Sequence, residues 1–470
     1  MKIYYSIKVF IFFVVLSVSS TMAQTIDAPK VDKRVELIGI VFRLAGAPEY
    51  NFENYKDYTD SIHKHFDQYK DHQAVKLAKK LHEGGAGYSY VASLAVHLED
   101  VETFKLAAPL IENETKAFGG EKNINEFLVQ LKDFYKRSKF EEFWAENLER
   151  YQIAEKDFER LSNEFHSEWY GEFYGQKTKT RFQIIIALSN GNNFYGSSVD
   201  FPDNSRDLYA VFAPLVEEGE ARLPDNALSF TVHEFNHSFA NPFIDKYSNE
   251  FEASAKKLFQ KNEKEMSEKA YTSWQIMMYE SLVRAATMTY LLKYNPKLAA
   301  GLRSSDMFEQ KFYWVDAFTD LLKTYESNRK IYSSLDDFLP QMTGFFDDAA
   351  KTDARVYKTN FDAKSAHVVK IEPFENTSDE VNSELAEIRI IFDKPLDGKS
   401  VSINTGETDE EFPEIVGGRA GISFHNENRE FVMKIKLKPN TNYGFVLSGK
   451  GFQTSEGYPL KNYKVNFKTK

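Results

Sequence analysis

Residues 229–243 read SFTVHEFNHSFANPF, an apolar stretch interrupted by two histidines and a glutamate. His233, Glu234 and His237 form the pattern His-Glu-x-x-His. On a helix, residues four apart lie one turn apart on the same face, so both imidazoles can reach one metal ion. Glu234, beside His233, is then aimed where a water on that metal would lie. The flanks predict a short helix: Pro224, Asp225 and Asn226 supply start signals, and Ala227, Leu228, Phe230, Val232 and Phe235 supply apolar positions. Pro242 is expected to end the helix, because the residue before a proline resists helical geometry. The rival reading makes His233 and His237 core or capping histidines. With only ten histidines in 470 residues, a chance match to this spacing is uncommon, and metal binding is the preferred reading.

Two histidines do not hold zinc; a third protein ligand is needed, with one position left for water. A histidine or aspartate six residues after His237 would give a compact site, but that place is Phe243. A glutamate from a later helix is the other route. Residues 270–293, AYTSWQIMMYESLVRAATMTYLLK, predict a long apolar helix whose only interior charges are Glu280 and Arg284. Burying a lone carboxylate there is costly, and either metal ligation or an ion pair with Arg284 one turn away removes the cost. The two are compatible. Glu280 is the expected third ligand, ahead of Glu250, Glu252 and Asp245, which follow His237 more closely in a more polar stretch.

Outside the motif, 42% of the residues are hydrophobic and 15% aromatic, enough to bury more than one core. The start, MKIYYSIKVFIFFVVLSVSSTMAQ, has the basic, apolar and small-residue zones of a cleavable export signal over 1–23, with Gln24 as first mature residue. Its apolar run, 9–18, is too short for a permanent anchor, and no later segment approaches the roughly 20 residues that spanning requires. A periplasmic or extracellular protein without a transmembrane anchor is expected. The absence of cysteine excludes disulfides, thiolate metal sites and a cysteine nucleophile. The net charge, −11 for the chain and −13 without Lys2 and Lys8, argues against a nucleic-acid partner.

The expected fold class is α+β, a mostly helical first unit with a small sheet (24–365) followed by an all-β unit (366–470). From about 55 to 165 the pattern is helical, with Phe127, Leu131, Phe134 and Tyr135, then Phe140, Phe143, Trp144, Leu148 and Tyr151, forming core-facing stripes. RFQIIIALSNGN (181–192) and DLYAVFAPLV (207–216) predict strands. Helical pattern returns from about 251 to 295 and again to about 350. Beyond 365, Ile388, Ile390 and Phe392, and Phe431, Met433, Ile435 and Leu437, alternate with polar neighbours between Pro/Asn/Gly turns, as in a sandwich. His367 and His425 read as surface residues.

The strand IRIIFDKPLD, the corner LKPNTNYGFVL with Tyr443, and the closing GYPLKNYKVNFKT resemble the bacterial Ig-like domains often appended to secreted enzymes. That likeness implies a spacer or a binding accessory for a surface or glycan partner. The motif with a glutamate on a later helix resembles the gluzincin type of zinc metallopeptidase. RVELIGIVFRLAGAPEYN, HQAVKLA around His72, GYSYVASLAVHL, NGNNFYG and TVHEFNHSF are similar to a bacterial family of secreted zincin-like proteins of unassigned function, over about 34–350. The resemblance implies Zn2+ on His233 and His237 with Glu234 as general base; the Asn-Glu signature of the best-known gluzincins is missing, since Tyr279 precedes Glu280. The expected activity is hydrolysis of a peptide or protein substrate by a zinc-activated water. One of the two predicted strands is expected to present an edge to an extended peptide. Tyr279, Tyr195 and His166 are candidate oxyanion donors, and His72 and Tyr50 are candidates for either site or packing roles. The alternatives are a metal-binding recognition protein without turnover and a zinc hydrolase of another amide or ester. No phosphate loop, nucleophile elbow or dinucleotide fingerprint is present.

Overall fold

The structure, a computed structural model, describes residues 25–175, 179–406 and 409–470. The export signal read over 1–23 lies outside the described residues, and among these no helix is long and apolar enough to cross a membrane. The chain is mixed α+β, with helices dominating as far as residue 364 and strands after it.

The sheet that organises the helical part has five strands. β1 (Thr25–Ile26) and β2 (Lys30–Val31) pair in parallel with β3 (Lys179–Ile186), β3 pairs in parallel with β5 (Ser205–Phe212), and β4 (Phe194–Asp200) closes the far side antiparallel to β5. The inner strands bury both faces, which explains their nearly unbroken apolar text. This overturns the expected edge: the two strands legible in the sequence, β3 and β5, are both interior, and β4 is the edge. Its text, FYGSSVD, lacks the apolar run that betrayed the others.

Helices Lys33–Leu44 and Ser89–His97 cover one face of the sheet, and the helix carrying the histidine motif, Ala227–Lys246, covers the other. On the first face, Ser197 of β4 donates to Ser93 at 3.1 Å, and Glu36 is fully buried with the Tyr58 hydroxyl 2.6 Å and the Ser189 amide 3.2 Å from its carboxylate. On the second, Phe230 stacks on Phe194 at 4.9 Å and Phe235 meets Phe182 edge-on at 5.0 Å. The helices between 112 and 174 add an aromatic layer in which Phe127, Leu131, Phe134, Phe140, Phe143 and Tyr151 are buried as their spacing requires. Leu148, assigned to the same stripe, is 45% exposed instead. The helix breaks at Asn147, which separates Phe140–Glu146 from Leu148–Glu164 and rotates the register. Tyr50 is wholly buried, and His72 caps helix Gln73–Glu83 through Nδ1, so both serve packing.

After 365 two sheets enclose a separate apolar cluster. One contains 368–372, 387–392, 414–415, 422–425 and 430–436; the other contains 403–405, 442–447 and 463–468. Ile388, Ile390, Phe392, Phe431, Met433, Ile435 and Leu437 all point into this cluster. His367, between Asp362 and Asp393, and His425, beside Ser423, lie at the surface. One residue leaves the β part to join the helical core: Tyr458 packs with Phe361, lies under the Arg303 guanidinium at 4.2 Å, and bonds through its hydroxyl to Asp316 and Lys364.

Two predictions follow from this packing. Burial raises the Glu36 carboxyl from 4.5 to about 7, against the Tyr58 and Ser189 hydrogen bonds that lower it. Its folded-state pKa exceeds the unfolded value, so the stability it confers is complete below pH 4.5 and is lost as pH rises through about 7. Glu36→Gln removes that dependence: thermal melts will show the variant gaining on wild type between pH 5 and pH 8. Tyr458→Ala, which empties a buried site and removes the ring packed on the Arg303 guanidinium, is expected to cost roughly 3–5 kcal/mol in denaturant unfolding.

Candidate metal centre

The motif helix does not stop at Pro242 as its sequence suggested; it continues to Lys246. A proline inside a helix removes one N–H and leaves the carbonyl four residues back without its partner. Here that carbonyl, Ser238 O, accepts instead from Arg206 Nη1 of β5 at 3.0 Å. Tyr170 donates to Val232 O at 3.1 Å, and Tyr174 donates to the Asn236 amide oxygen at 2.8 Å, fixing the helix rotation. Helix Trp274–Tyr294 packs alongside, joined by the Asn236 to Thr287 hydrogen bond of 3.0 Å.

This arrangement brings His233, His237 and Glu280 together as a group able to hold a metal ion, with ligand atoms all within 4.8 Å of one another. The two imidazole Nε2 atoms are 3.2 Å apart, His237 Nε2 is 3.5 Å from Glu280 Oε1, and His233 Nε2 is 3.8 Å from Glu280 Oε2. Tetrahedral zinc with bonds near 2.0–2.1 Å requires ligand–ligand edges of roughly 3.3 Å, so the donor set fits the ion with small adjustments. Glu280 Oε2 is buried and makes no well-aligned hydrogen bond, its near donor being Arg284 Nε at 3.1 Å, so a lone pair is left for ligation. His237 Nδ1 lies 3.2 Å from Asn241 Oδ1; the Nδ1–H therefore donates there and the Nε2 lone pair faces the group.

The electrostatics suit a cation. Burial, reinforced by His237 and Arg284, takes His233 down to about 3 despite Glu280, so the ring stays neutral and free to ligate. Burial tends to raise Glu280, but Arg284 and then the two imidazoles outweigh it and hold the carboxyl below its usual value. Arg284 Nε is 3.1 Å from Glu280 Oε2, and the same guanidinium bonds Asp306 and the Tyr271 hydroxyl. The expected ion pair and the expected ligand thus coexist in one residue. Burial lifts Glu234 to about 7, aided by Glu280 and opposed by His237 and the Gly196 peptide N–H. Gly196 must be a glycine here: a Cβ would stand 2.9 Å from Glu234 O and 3.0 Å from its Oε2.

The other candidates lie elsewhere. Asp245 bonds the Tyr279 hydroxyl and Glu252 pairs with Lys256, so neither joins the imidazoles; Glu250 is exposed and outside the group. Tyr279 is thereby turned from the site, Tyr195 is buried on the opposite face of β4, and His166 stacks on Tyr294 at 3.9 Å beside Glu168. Tyr279 and His166 are claimed by nearer partners, whereas the Tyr195 hydroxyl is buried without a hydrogen-bond partner on the face away from Glu234. The polar side chains that do line the cleft beside His233 and Glu234 are Asn192, Asn193, Asn226 and Ser229. Of the residues missed in the sequence, Asn241 was detectable, since it lies one helical turn past His237. Asp306, Arg206 and Gly196 have no local signature.

Residues 28–344 match the family DUF4932, a domain of unknown function, and the chain belongs to that family. No curated protein matches it in sequence. Among solved structures, the S-layer protein rSbsC(31-844) aligns at 12% identity over 84% of this chain and 45% of that one, with a TM-score of 0.17. The N-terminal part of the bacterial S-layer protein SbsC aligns at 13% identity over 84% of this chain and 77% of that one, with a TM-score of 0.16. Scores this low define no common fold.

Metal analysis by elemental mass spectrometry after dialysis is expected to find about one zinc per wild-type chain and none in His233→Ala or Glu280→Ala. Asn241→Ala should keep the site but weaken it by roughly 10–100-fold in chelator competition.

Proposed function

We propose that the protein is an exported zinc-dependent metallopeptidase of the zincin type, gluzincin-like in drawing its third ligand from a second helix. The observation that carries this reading is the set His233, His237 and Glu280 with Glu234 one residue from His233, His233 and Glu234 themselves lining a cleft of about 1470 Å³. Bound zinc would supply Lewis acidity, polarising a carbonyl oxygen and lowering the pKa of water.

Every other step belongs to the chain. Asn241 holds His237 in the ligating tautomer, and Arg284 holds Glu280 as a carboxylate. Glu234 takes a proton from the attacking water and delivers it to the leaving amine nitrogen as the C–N bond breaks. The Gly196 N–H, turned to the Glu234 carboxylate, favours the charged form that accepts a proton and so opposes the burial that lifts the group to about 7. The β4 edge beside the motif helix offers an extended peptide unpaired backbone groups.

The strand-rich region is Ig-like on this reading. Tyr443 supports it: its hydroxyl accepts from the Lys438 amide at 2.7 Å, tying strand to corner in the manner of a tyrosine corner.

Glu234→Gln is the decisive variant. The expected outcome is unchanged zinc content with hydrolysis of a casein or mixed-peptide substrate reduced by at least about a hundredfold. Equal turnover in variant and wild type, or zinc-loaded wild type that cleaves no peptide while hydrolysing other amides or esters, overturns the peptidase reading.

A further inference from the structure

The cleft that begins at the metal centre does not end within the helical part. Its walls pass from Asn192–Phe194 and the motif helix along helix Pro296–Ser304 and the end of helix Ala354–Lys364, and they finish on two loops of the β region, 448–450 and 459–462. Beyond the residues of the metal centre, its charged lining is four lysines, Lys297, Lys358, Lys450 and Lys461, against two carboxylates, Glu309 and Asp362. Lys461 lies 3.5 Å from Asp362, and Glu309 accepts from the Ser305 hydroxyl. Lys358 lies over the Tyr313 ring at 4.4 Å. Lys297 and Lys450 are exposed and have no acidic partner among the described residues. A chain of net charge −11 thus presents an excess of positive charge along this groove.

The cationic wall is built, not trailing. Gly449 N donates to Asn462 Oδ1 at 2.9 Å, which ties the two loops together. A side chain at 449 would meet Leu460 O at 2.5 Å and one at 451 would meet Ser402 N at 2.2 Å, so both loops are packed at backbone level. The Lys461 amide donates to Ala366 O at 3.1 Å, and Tyr458, one turn of loop away, is locked in the helical core. Between this wall and the metal centre, Leu298, Leu302, Phe308 and Phe361 add apolar side chains to the lining.

We infer that the cleft takes polypeptides bearing an acidic segment away from the scissile bond, with that segment's carboxylates paired to Lys297 and to Lys450 of the β region. The inference rests on the peptidase reading for its choice of a peptide. Fixed cations in a groove with low-dielectric walls concentrate an anionic ligand and orient it. The apolar part of the lining takes the intervening side chains, and β4 pairs the backbone nearest Glu234. The β region then helps to select the substrate, not only to space the enzyme from a surface.

The test is binding, so that it does not depend on turnover. Full mature chain carrying Glu234→Gln and loaded with zinc is titrated, by fluorescence anisotropy, with a labelled Glu/Ala-rich peptide and with its Gln/Ala counterpart of equal length. The expected result is roughly tenfold tighter binding of the Glu peptide, the size of a few exposed charge contacts, fading as salt is raised. Lys297→Gln/Lys450→Gln should abolish the preference, whereas Lys122→Gln/Lys436→Gln, elsewhere on the surface, should preserve it. Equal binding of the two peptides, or a preference that survives in the cleft variant, overturns the inference. Binding of a sulfated glycan in place of the Glu peptide also overturns it, in favour of glycan recognition. A wild-type enzyme that fails to cleave peptides leaves this binding result readable and counts against the peptidase reading alone.

Discussion

A carboxylate buried on an apolar helix needs a compensating charge, and how Glu280 obtains one shapes the molecule around it. Arg284, one turn along the same helix, is the first answer, with Nε 3.1 Å from Glu280 Oε2. That guanidinium is itself buried, so it is shared with Asp306 and the Tyr271 hydroxyl and seated on the Phe312 ring at 4.8 Å. Arg284 is thus divided between Glu280 and Asp306, Arg303 adds to the field at Asp306, and half-buried Glu234 stands beside the group. Burial raises the carboxyls of both Glu234 and Asp306, and proximity to Glu280 adds to each. A dication held by His233, His237 and Glu280 would favour the ionised carboxylates, and the neutral imidazoles would add affinity without charge.

Through Asp306 this network reaches the β region. Arg303, three residues before Asp306 and almost fully buried, pairs with Asp316 and lies against Tyr458. Asp316 in turn bonds both the Tyr458 hydroxyl and Lys364, the last residue of the helix that leads into the strands. Tyr458 is therefore part of the helical core although it is encoded among strands. The helix Pro296–Ser304 between these anchors forms a wall of the cleft, so its position depends on the β region being docked. A mere spacer would have no need of a buried aromatic pin.

Much of this was legible in the sequence, for reasons that can be assigned. The fold class could be read because long amphipathic stripes and period-two alternation are local properties, as Phe127, Leu131 and Phe134 or Ile388, Ile390 and Phe392 illustrate. The grouping of His233, His237 and Glu280 could be read because a fixed spacing on one helix places the imidazoles, and because Glu280 and Arg284 are the only charges in the interior of an apolar helix. What escaped depends on pairing between distant residues. Pro242 reads as a helix stop unless Arg206 is known to receive the Ser238 carbonyl. Leu148 reads as core unless the break at Asn147 is known. The edge strand was assigned to the most apolar runs, but apolar runs mark strands buried on both faces, and an edge strand is instead short of apolar residues.

β4 shows how function adds a constraint that local propensity does not contain. Its sequence, FYGSSVD, puts a glycine in the middle of a strand, where lack of a side chain weakens sheet packing. The cost is accepted at Gly196 because the strand crosses the motif helix at the residue whose backbone and carboxylate stand about 3.0 Å from the missing Cβ. Phe194, two residues earlier on the same face, stacks on Phe230 and sets the distance between strand and helix. Alternation then decides the rest: Tyr195 and Ser197 face the opposite layer, which is why Tyr195 could not serve the site despite lying beside it in sequence. A large aromatic that holds the strand off the helix and a glycine that lets it close on Glu234 are complementary parts of one spacing. That spacing brings Phe194 of the sheet edge, the proposed general base Glu234 and His233 into a single cleft.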